Sequence, residues 1–195
     1  MWLCDVCAFI FEEQKNKSWV PGYDLQVLSL YSWTQYLHRL NQRVAYSLKG
    51  NGPMEIYSDA AIAMCHLRAS LAPAPVNPIF IPSPRSLRLS EEDHAEIFCK
   101  VLADVLGASQ LHALKRTSQS IHRRKTRVER ERAAKNRFEL KDQMTVEILH
   151  EHKGAVVFVD DLITTGSTAR AAWQVLCCPP QFEVWTLLNK PSGSC

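Results

Sequence analysis

The chain has 195 residues and a mass of 22.2 kDa, with 46% hydrophobic and 22% charged residues and a formal net charge of +3. This composition is that of an ordinary globular protein and excludes a disordered chain or a collagen-like fibre. The longest central apolar run, residues 155–159, is far too short to cross a membrane, and the start of the chain lacks the basic and apolar regions of a signal peptide. We therefore expect a cytoplasmic protein with no membrane partner.

The first part of the chain is predicted to contain a strand and two helices. The strand covers Gln26–Ser32, and an aromatic-rich helix follows it and ends before the turn at Asn51-Gly52-Pro53. The second helix covers Met54–Leu71. Small and long apolar residues form its predicted buried face: Ala60, Ala61, Ala63, Met64 and Leu67.

From residue 78 onwards, short apolar strands alternate with helices. A capping pair, Ser90 and Asp93, begins a helix that ends at Gly107 and whose apolar face is predicted to contain Val105. The strands are predicted at residues 79–81, 111–114, 138–140, 155–159 and 182–188, with a turn at 160–168 and a last helix at 169–176. Such alternation predicts an α/β fold, with a mainly parallel sheet flanked by helices on both faces.

A strongly basic segment occupies residues 115–137. It contains ten Lys or Arg residues against two Glu, a net charge of +8, which leaves −5 for the rest of the chain. Charge alone leaves two interpretations open, a solvated basic helix face or local handling of an anionic ligand.

Residues 156–168 carry the most informative chemistry. An apolar strand delivers Asp160 and Asp161 to its carboxyl end, the edge at which open α/β sheets bind ligands. Hydroxyl residues and a glycine then precede a helix: Thr164, Thr165, Gly166, Ser167 and Thr168. A helix N-terminus with free N–H groups binds phosphate. The density of acids and hydroxyls favours a site for a phosphate beside a diol or metal over an ordinary Asp-capped helix start.

This segment resembles the signature of the type I phosphoribosyltransferases, which bind phosphoribosyl pyrophosphate (PRPP) with Mg²⁺. The resemblance implies that Asp160 and Asp161 contact the ribose hydroxyls and that residues 162–168 surround the 5′-phosphate. Those residues are Leu162, Ile163, Thr164, Thr165, Gly166, Ser167 and Thr168. It also implies that Mg²⁺ is held mainly through PRPP, near the two aspartates. Hypoxanthine-type enzymes have an aspartate where this chain has Thr164, so the general base proposed for that branch is absent.

The chain as a whole is similar to the ComF family, which includes competence-associated and GntX-like proteins. The similarity rests on Cys4-x-x-Cys7, the Lys49 turn, the proline-bracketed strand at residues 81–84, and the segment that begins at residue 114. It implies a type I phosphoribosyltransferase fold over residues 25–195. Within it, residues 25–77 would form a cap, or hood, and residues 78–195 the PRPP-binding core, after an N-terminal segment at residues 1–24.

The N-terminal segment resembles a degenerate zinc ribbon. The family's zinc module has four cysteines, whereas only Cys4 and Cys7 are present here. A structural zinc site needs four ligands, so we expect a remnant pair without zinc. The odd total of seven cysteines favours reduced thiols, with Cys65 and Cys99 as small core residues.

The resemblance also implies functions for two further segments. The loop after the first core strand would bind pyrophosphate through Ser83 and Arg85. The basic segment falls where type I enzymes have a lid between core strands, so Arg123, Arg124 and Lys125 are candidate catalytic cations.

Two functions are therefore expected as alternatives. In the first, the chain is an enzyme that transfers a phosphoribosyl group from PRPP to an unidentified acceptor and releases pyrophosphate. In the second, it is a non-catalytic protein that binds PRPP or handles single-stranded DNA with other competence proteins during DNA uptake. Few aromatic residues interrupt the basic segment, and this scarcity of stacking side chains favours the enzyme.

Overall fold

A parallel five-stranded sheet organises the chain. The computed structural model describes residues 15–33, 54–73, 75–84, 94–117 and 137–190. The sheet strands are β1 (Gln26–Ser32), β2 (Ile79–Pro82), β3 (Ser109–Gln110), β6 (Val156–Ile163) and β7 (Phe182–Asn189). Their spatial order is β1-β7-β6-β2-β3, and every neighbouring pair is parallel. The predicted α/β architecture with a mainly parallel sheet is confirmed.

Helices cover both faces of this sheet. The described helices are α1 (Met54–Leu71), α2 (His94–Leu106), α3 (Gln143–Glu151) and α4 (Ser167–Val175). On one face, α1 and α2 pack together in a core that includes Met64, Phe98 and Trp185. On the other face, alanines of α4 pack against Phe158 and Val184. Every residue of β7 is buried because β7 has a strand on each side and a helix layer on each face. No helix in the described ranges has the length and apolarity needed to span a membrane.

The strand β1 joins the same sheet as the rest of the core. It pairs in parallel with β7, from Gln26 opposite Glu183 to Ser32 opposite Asn189. The helix α1 then packs on β1 and α2. Residues 26–32 and 54–71 of the expected cap therefore contribute directly to the layered core. The helix predicted after β1 lies outside the described residues, as do Ser90 and Asp93.

Several predicted details of the elements are wrong. Val105 is 43% exposed, whereas Cys99 is fully buried, so the inner face of α2 is rotated towards Cys99 and Ala103. The strand expected at residues 111–114 is absent: residues 111–113 lie between β3, which ends at Gln110, and a separate strand, β4 (Leu114–Arg116). The helix α3 was not predicted. Its N-cap is Asp142, whose side chain accepts a hydrogen bond of 2.8 Å from the Thr145 N–H.

The basic segment is attached at both ends to a small antiparallel sheet. β4 pairs with β5 (Phe138–Leu140), and the Thr117 N–H donates to the Arg137 carbonyl at 3.1 Å. The expectation that two core strands flank this segment is therefore wrong, because β4 and β5 form a sheet of their own. Residues 118–136, which include Arg123, Arg124 and Lys125, lie outside the described residues.

Candidate functional site

The two aspartates lie inside the last part of β6. The sequence predicted that the strand ends at Val159, but it continues to Ile163, and Asp160 lies opposite Thr186 of β7. The predicted turn at residues 160–168 is therefore shorter than expected. Both aspartates are partly buried. The longer strand fixes the backbone of both residues at the carboxyl edge of the sheet.

This edge is also the topological switch point of the sheet. From β2 the chain moves to β3 on one side, and it later returns as β6 on the other side of β2. Open α/β sheets bind ligands in the crevice that such a reversal creates. Ser83 lies at this crevice, buried, with its N–H donating to the Val159 carbonyl at 2.8 Å. Its predicted companion Arg85 lies outside the described residues.

The carboxyl group of Asp160 is in an unfavourable electrostatic environment. Burial, together with the neighbouring charge of Asp161, raises the pKa of Asp160 to about 8, and the Arg116 guanidinium offsets part of this effect. The Asp161 N–H donates to Asp160 Oδ1 at 3.0 Å. Without a bound cation, Asp160 therefore keeps its proton to a higher pH than an ordinary aspartate, and the protonated carboxyl group can donate as well as accept a hydrogen bond.

This raised pKa predicts that Asp160→Asn stabilises the protein. Because the folded-state pKa lies above the usual 3.8, the folded protein binds an extra proton between about pH 4 and pH 8. Stability therefore falls as the pH rises through this window. We expect Asp160→Asn to flatten that dependence and to raise the free energy of unfolding by about 1 kcal/mol at pH 8. Urea titrations from pH 5 to pH 9, with Asp104→Asn as the exposed control, measure this. A less stable Asp160→Asn variant at pH 8 contradicts it.

Residues 164–168, here called the phosphate loop, connect β6 to α4. Gly166 is the residue before α4 and has a left-handed backbone, with φ of 72° and no side chain to cap the helix. The Thr165 hydroxyl lies 3.1 Å from Ser167 Oγ and accepts a hydrogen bond of 3.4 Å from the Ser167 N–H. A small pocket runs from Asp160 along this loop. The structure therefore brings Asp160 and the predicted phosphate loop to one pocket, whereas Asp161, the next residue of β6, is not among the residues that line it.

Two arginines that sequence analysis did not assign to the site approach it from the small sheet. Arg137 donates to the hydroxyl of Thr168 in the phosphate loop. Burial, together with repulsion from Arg116, lowers the pKa of Arg137, and Asp160 opposes this shift. Arg116 lies over the Phe138 ring and donates at 2.6 Å to the carbonyl of Pro84, in the loop that follows β2 and is here called the β2 loop. The feature of the sequence that could have identified these two arginines is their position near the two ends of the basic segment.

A second, larger cavity also borders the phosphate loop. Its volume is about 520 Å³. Its described lining comes from the chain before β1, from the ends of β1 and β7, and from Thr164 and Thr165. The segment before β1 is therefore part of the surroundings of the site.

Comparison with known proteins adds no family assignment. A scan against protein-family models gives no match, and no curated protein matches the chain. Residues 4 and 7, the predicted remnant pair, lie outside the described part of the chain. Within that part, no three His, Cys, Asp or Glu side chains cluster as metal ligands.

Proposed function

We propose that this chain is a cytoplasmic, ComF-like protein with a type I phosphoribosyltransferase fold, which binds PRPP with Mg²⁺ and transfers its phosphoribosyl group to an acceptor. One observation carries the proposal. Two adjacent carboxyl groups at the switch point of a parallel sheet are followed at once by a loop with a left-handed glycine and a helix N-terminus. This arrangement suits a ligand with a phosphate at one end and hydroxyl groups beside it.

The residues of the site divide according to the parts of PRPP. The phosphate loop and the first N–H groups of α4 bind the 5′-phosphate, because a helix N-terminus favours negative charge. Asp160 and Asp161 bind the ribose hydroxyls. Arg116 and Arg137 lie between this loop and the end of β2, where the leaving pyrophosphate gains negative charge as the bond to the ribose C1 breaks. Positive charge in a partly buried site stabilises such a transition state.

The two aspartates also fit the metal that PRPP carries. Mg²⁺ is commonly bound by one or two carboxylates together with substrate phosphates, which is the donor set available here. When bound, Mg²⁺ would neutralise pyrophosphate charge. No larger protein ligand set is required for this function.

Calorimetric titration with Mg²⁺·PRPP tests the proposal. We expect saturable binding to one site per chain, and release of pyrophosphate when a suitable acceptor is present in a panel of nucleobases and other amines. Binding without release for every acceptor would favour the non-catalytic alternative. Failure to bind Mg²⁺·PRPP would contradict the proposed function and would leave only the alternative of a protein that handles single-stranded DNA.

A further inference from the structure

Tyr23, which precedes β1, contacts the phosphate loop and has no part in the function proposed above. Its hydroxyl lies 2.8 Å from the carbonyl oxygen of Thr164 and 2.9 Å from Oδ1 of Asn189, the last residue of β7. Thr164 is 141 positions from Tyr23 in the sequence, and Asn189 is 166 positions from it. These contacts therefore join the start of the chain to the carboxyl edge of the two central strands.

The hydroxyl has one proton for these two neighbours. Both neighbours are acceptors, the Thr164 carbonyl and Oδ1 of Asn189, a residue that is only 3% exposed. A backbone carbonyl can only accept a hydrogen bond, so the contact with Thr164 requires Tyr23 as its donor. Burial raises the pKa of Tyr23 above its usual 10, so the hydroxyl keeps its proton at neutral pH.

The ring of Tyr23 packs directly on Gly166. A Cβ atom at Gly166 would lie 2.8 Å from Tyr23 Cδ1, which is closer than real Cβ contacts allow. The following residue, Asp24, forms an ion pair with Arg170 in the first turns of α4. The segment before β1 therefore contacts the phosphate loop at Thr164 and at Gly166, and it also contacts the helix that follows the loop.

The contact with Thr164 determines the orientation of one peptide group. In a trans peptide the C=O of one residue and the N–H of the next point in opposite directions. When Tyr23 holds the Thr164 carbonyl on its own side, the Thr165 N–H points to the opposite side of the loop. Without that contact the carbonyl is free to turn towards a bound anion, which it would repel.

We propose that Tyr23 is a positioning residue of the phosphate loop: it holds the Thr164 carbonyl away from the ligand and thereby directs the Thr165 N–H at the phosphate. This inference rests on the proposed function in taking that phosphate to be the 5′-phosphate of PRPP. Tyr23 itself does not contact the ligand. Its effect should therefore be confined to ligands that carry a phosphate in this loop.

The test compares Tyr23→Phe with the wild type and with Tyr31→Phe. The first variant keeps the ring on Gly166 and removes only the hydroxyl, while Tyr31 packs against the opposite core and serves as the matched control. We expect Tyr23→Phe to weaken the binding of ribose 5-phosphate and of PRPP by the same factor, about tenfold, the worth of one well-placed hydrogen bond. Binding of Mg²⁺-pyrophosphate, which does not occupy the loop, should be unchanged.

The other possible results of these binding measurements would contradict the inference about Tyr23, the proposed function, or both. Equal ribose 5-phosphate affinity in Tyr23→Phe and the wild type would contradict the inference. An equal loss for ribose 5-phosphate and Mg²⁺-pyrophosphate would also contradict it, because it would show a general structural role. If the wild type binds ribose 5-phosphate but not PRPP, the proposed function fails while the comparison of variants still decides the role of Tyr23. If the wild type binds neither, both proposals fail.

Discussion

Replacement of both Asp160 and Asp161 by asparagine is expected to abolish the rise in melting temperature that Mg²⁺·PRPP causes in the wild type. A ligand that binds only the folded state at a hundredfold excess over its Kd stabilises it by about 2.7 kcal/mol. For a chain of this size that corresponds to a shift of about 5 to 10 °C. Asparagine has nearly the shape of aspartate but no negative charge, so it binds Mg²⁺ poorly. Its amide also has only one oxygen that can accept hydrogen bonds, where aspartate has two.

The double variant should fold, because removal of the Asp160 carboxyl group relieves an electrostatic cost. Circular dichroism and a cooperative melting curve without ligand establish this. Exposed aspartates on two helices provide a matched control with the same chemical change, Asp59→Asn with Asp104→Asn, and that variant should keep the full ligand-induced shift. A shift that survives in the Asp160/Asp161 variant would show that the aspartates do not bind ribose or metal.

Local sequence patterns predicted those parts of the site that depend on neighbouring residues. The alternation of apolar and turn residues was enough to predict a strand, a turn and a helix in this order, and Gly166 has the left-handed backbone that a tight turn requires. The end of β6 was placed four residues too early because Asp160 and Asp161 are polar. Pairing with β7, which local polarity does not encode, extends the strand to Ile163.

The contacts that complete the site join residues far apart in the sequence. Arg137 reaches Thr168 across 31 positions, and Tyr23 reaches Thr164 across 141. No periodicity of a single sequence encodes such pairs. The helix α3 was missed for a different reason. Its apolar residues Met144 and Ile148 are exposed and its buried residue is Thr145, so apolar side chains do not mark its inner face.

Neutralising the start of the basic segment is expected to slow pyrophosphate release far more than it weakens PRPP binding. The variant replaces Arg123, Arg124, Lys125 and Arg127 with glutamine. The segment is attached to β4 and β5, where Arg116 and Arg137 already lie beside the β2 loop and the phosphate loop. Cations added there would act mainly on the charge of the leaving pyrophosphate, and such interactions lower kcat more than binding. We expect kcat to fall roughly a hundredfold, with a change in PRPP affinity of less than about threefold.

The same variant separates a catalytic lid from a DNA-binding arm. If the segment binds DNA, PRPP binding and turnover should be unchanged. Single-strand affinity should then fall, and its salt dependence should lose a slope of roughly 0.7 for each phosphate contact removed. Glutamine at four exposed lysines, Lys17, Lys100, Lys141 and Lys153, gives a control with the same change in net charge. If that control weakens DNA binding equally, the effect is one of overall charge.

Loss of turnover in the segment variant alone supports the lid, because the four cations would then act only where charge develops during the reaction. Loss of DNA binding alone supports the arm. If both ligands are unaffected, neither function uses this part of the chain, and its charge serves only to keep a surface solvated. The site formed by β6 and the phosphate loop would then have to stabilise the leaving pyrophosphate with Arg116 and Arg137, and replacement of those two arginines becomes the decisive measurement.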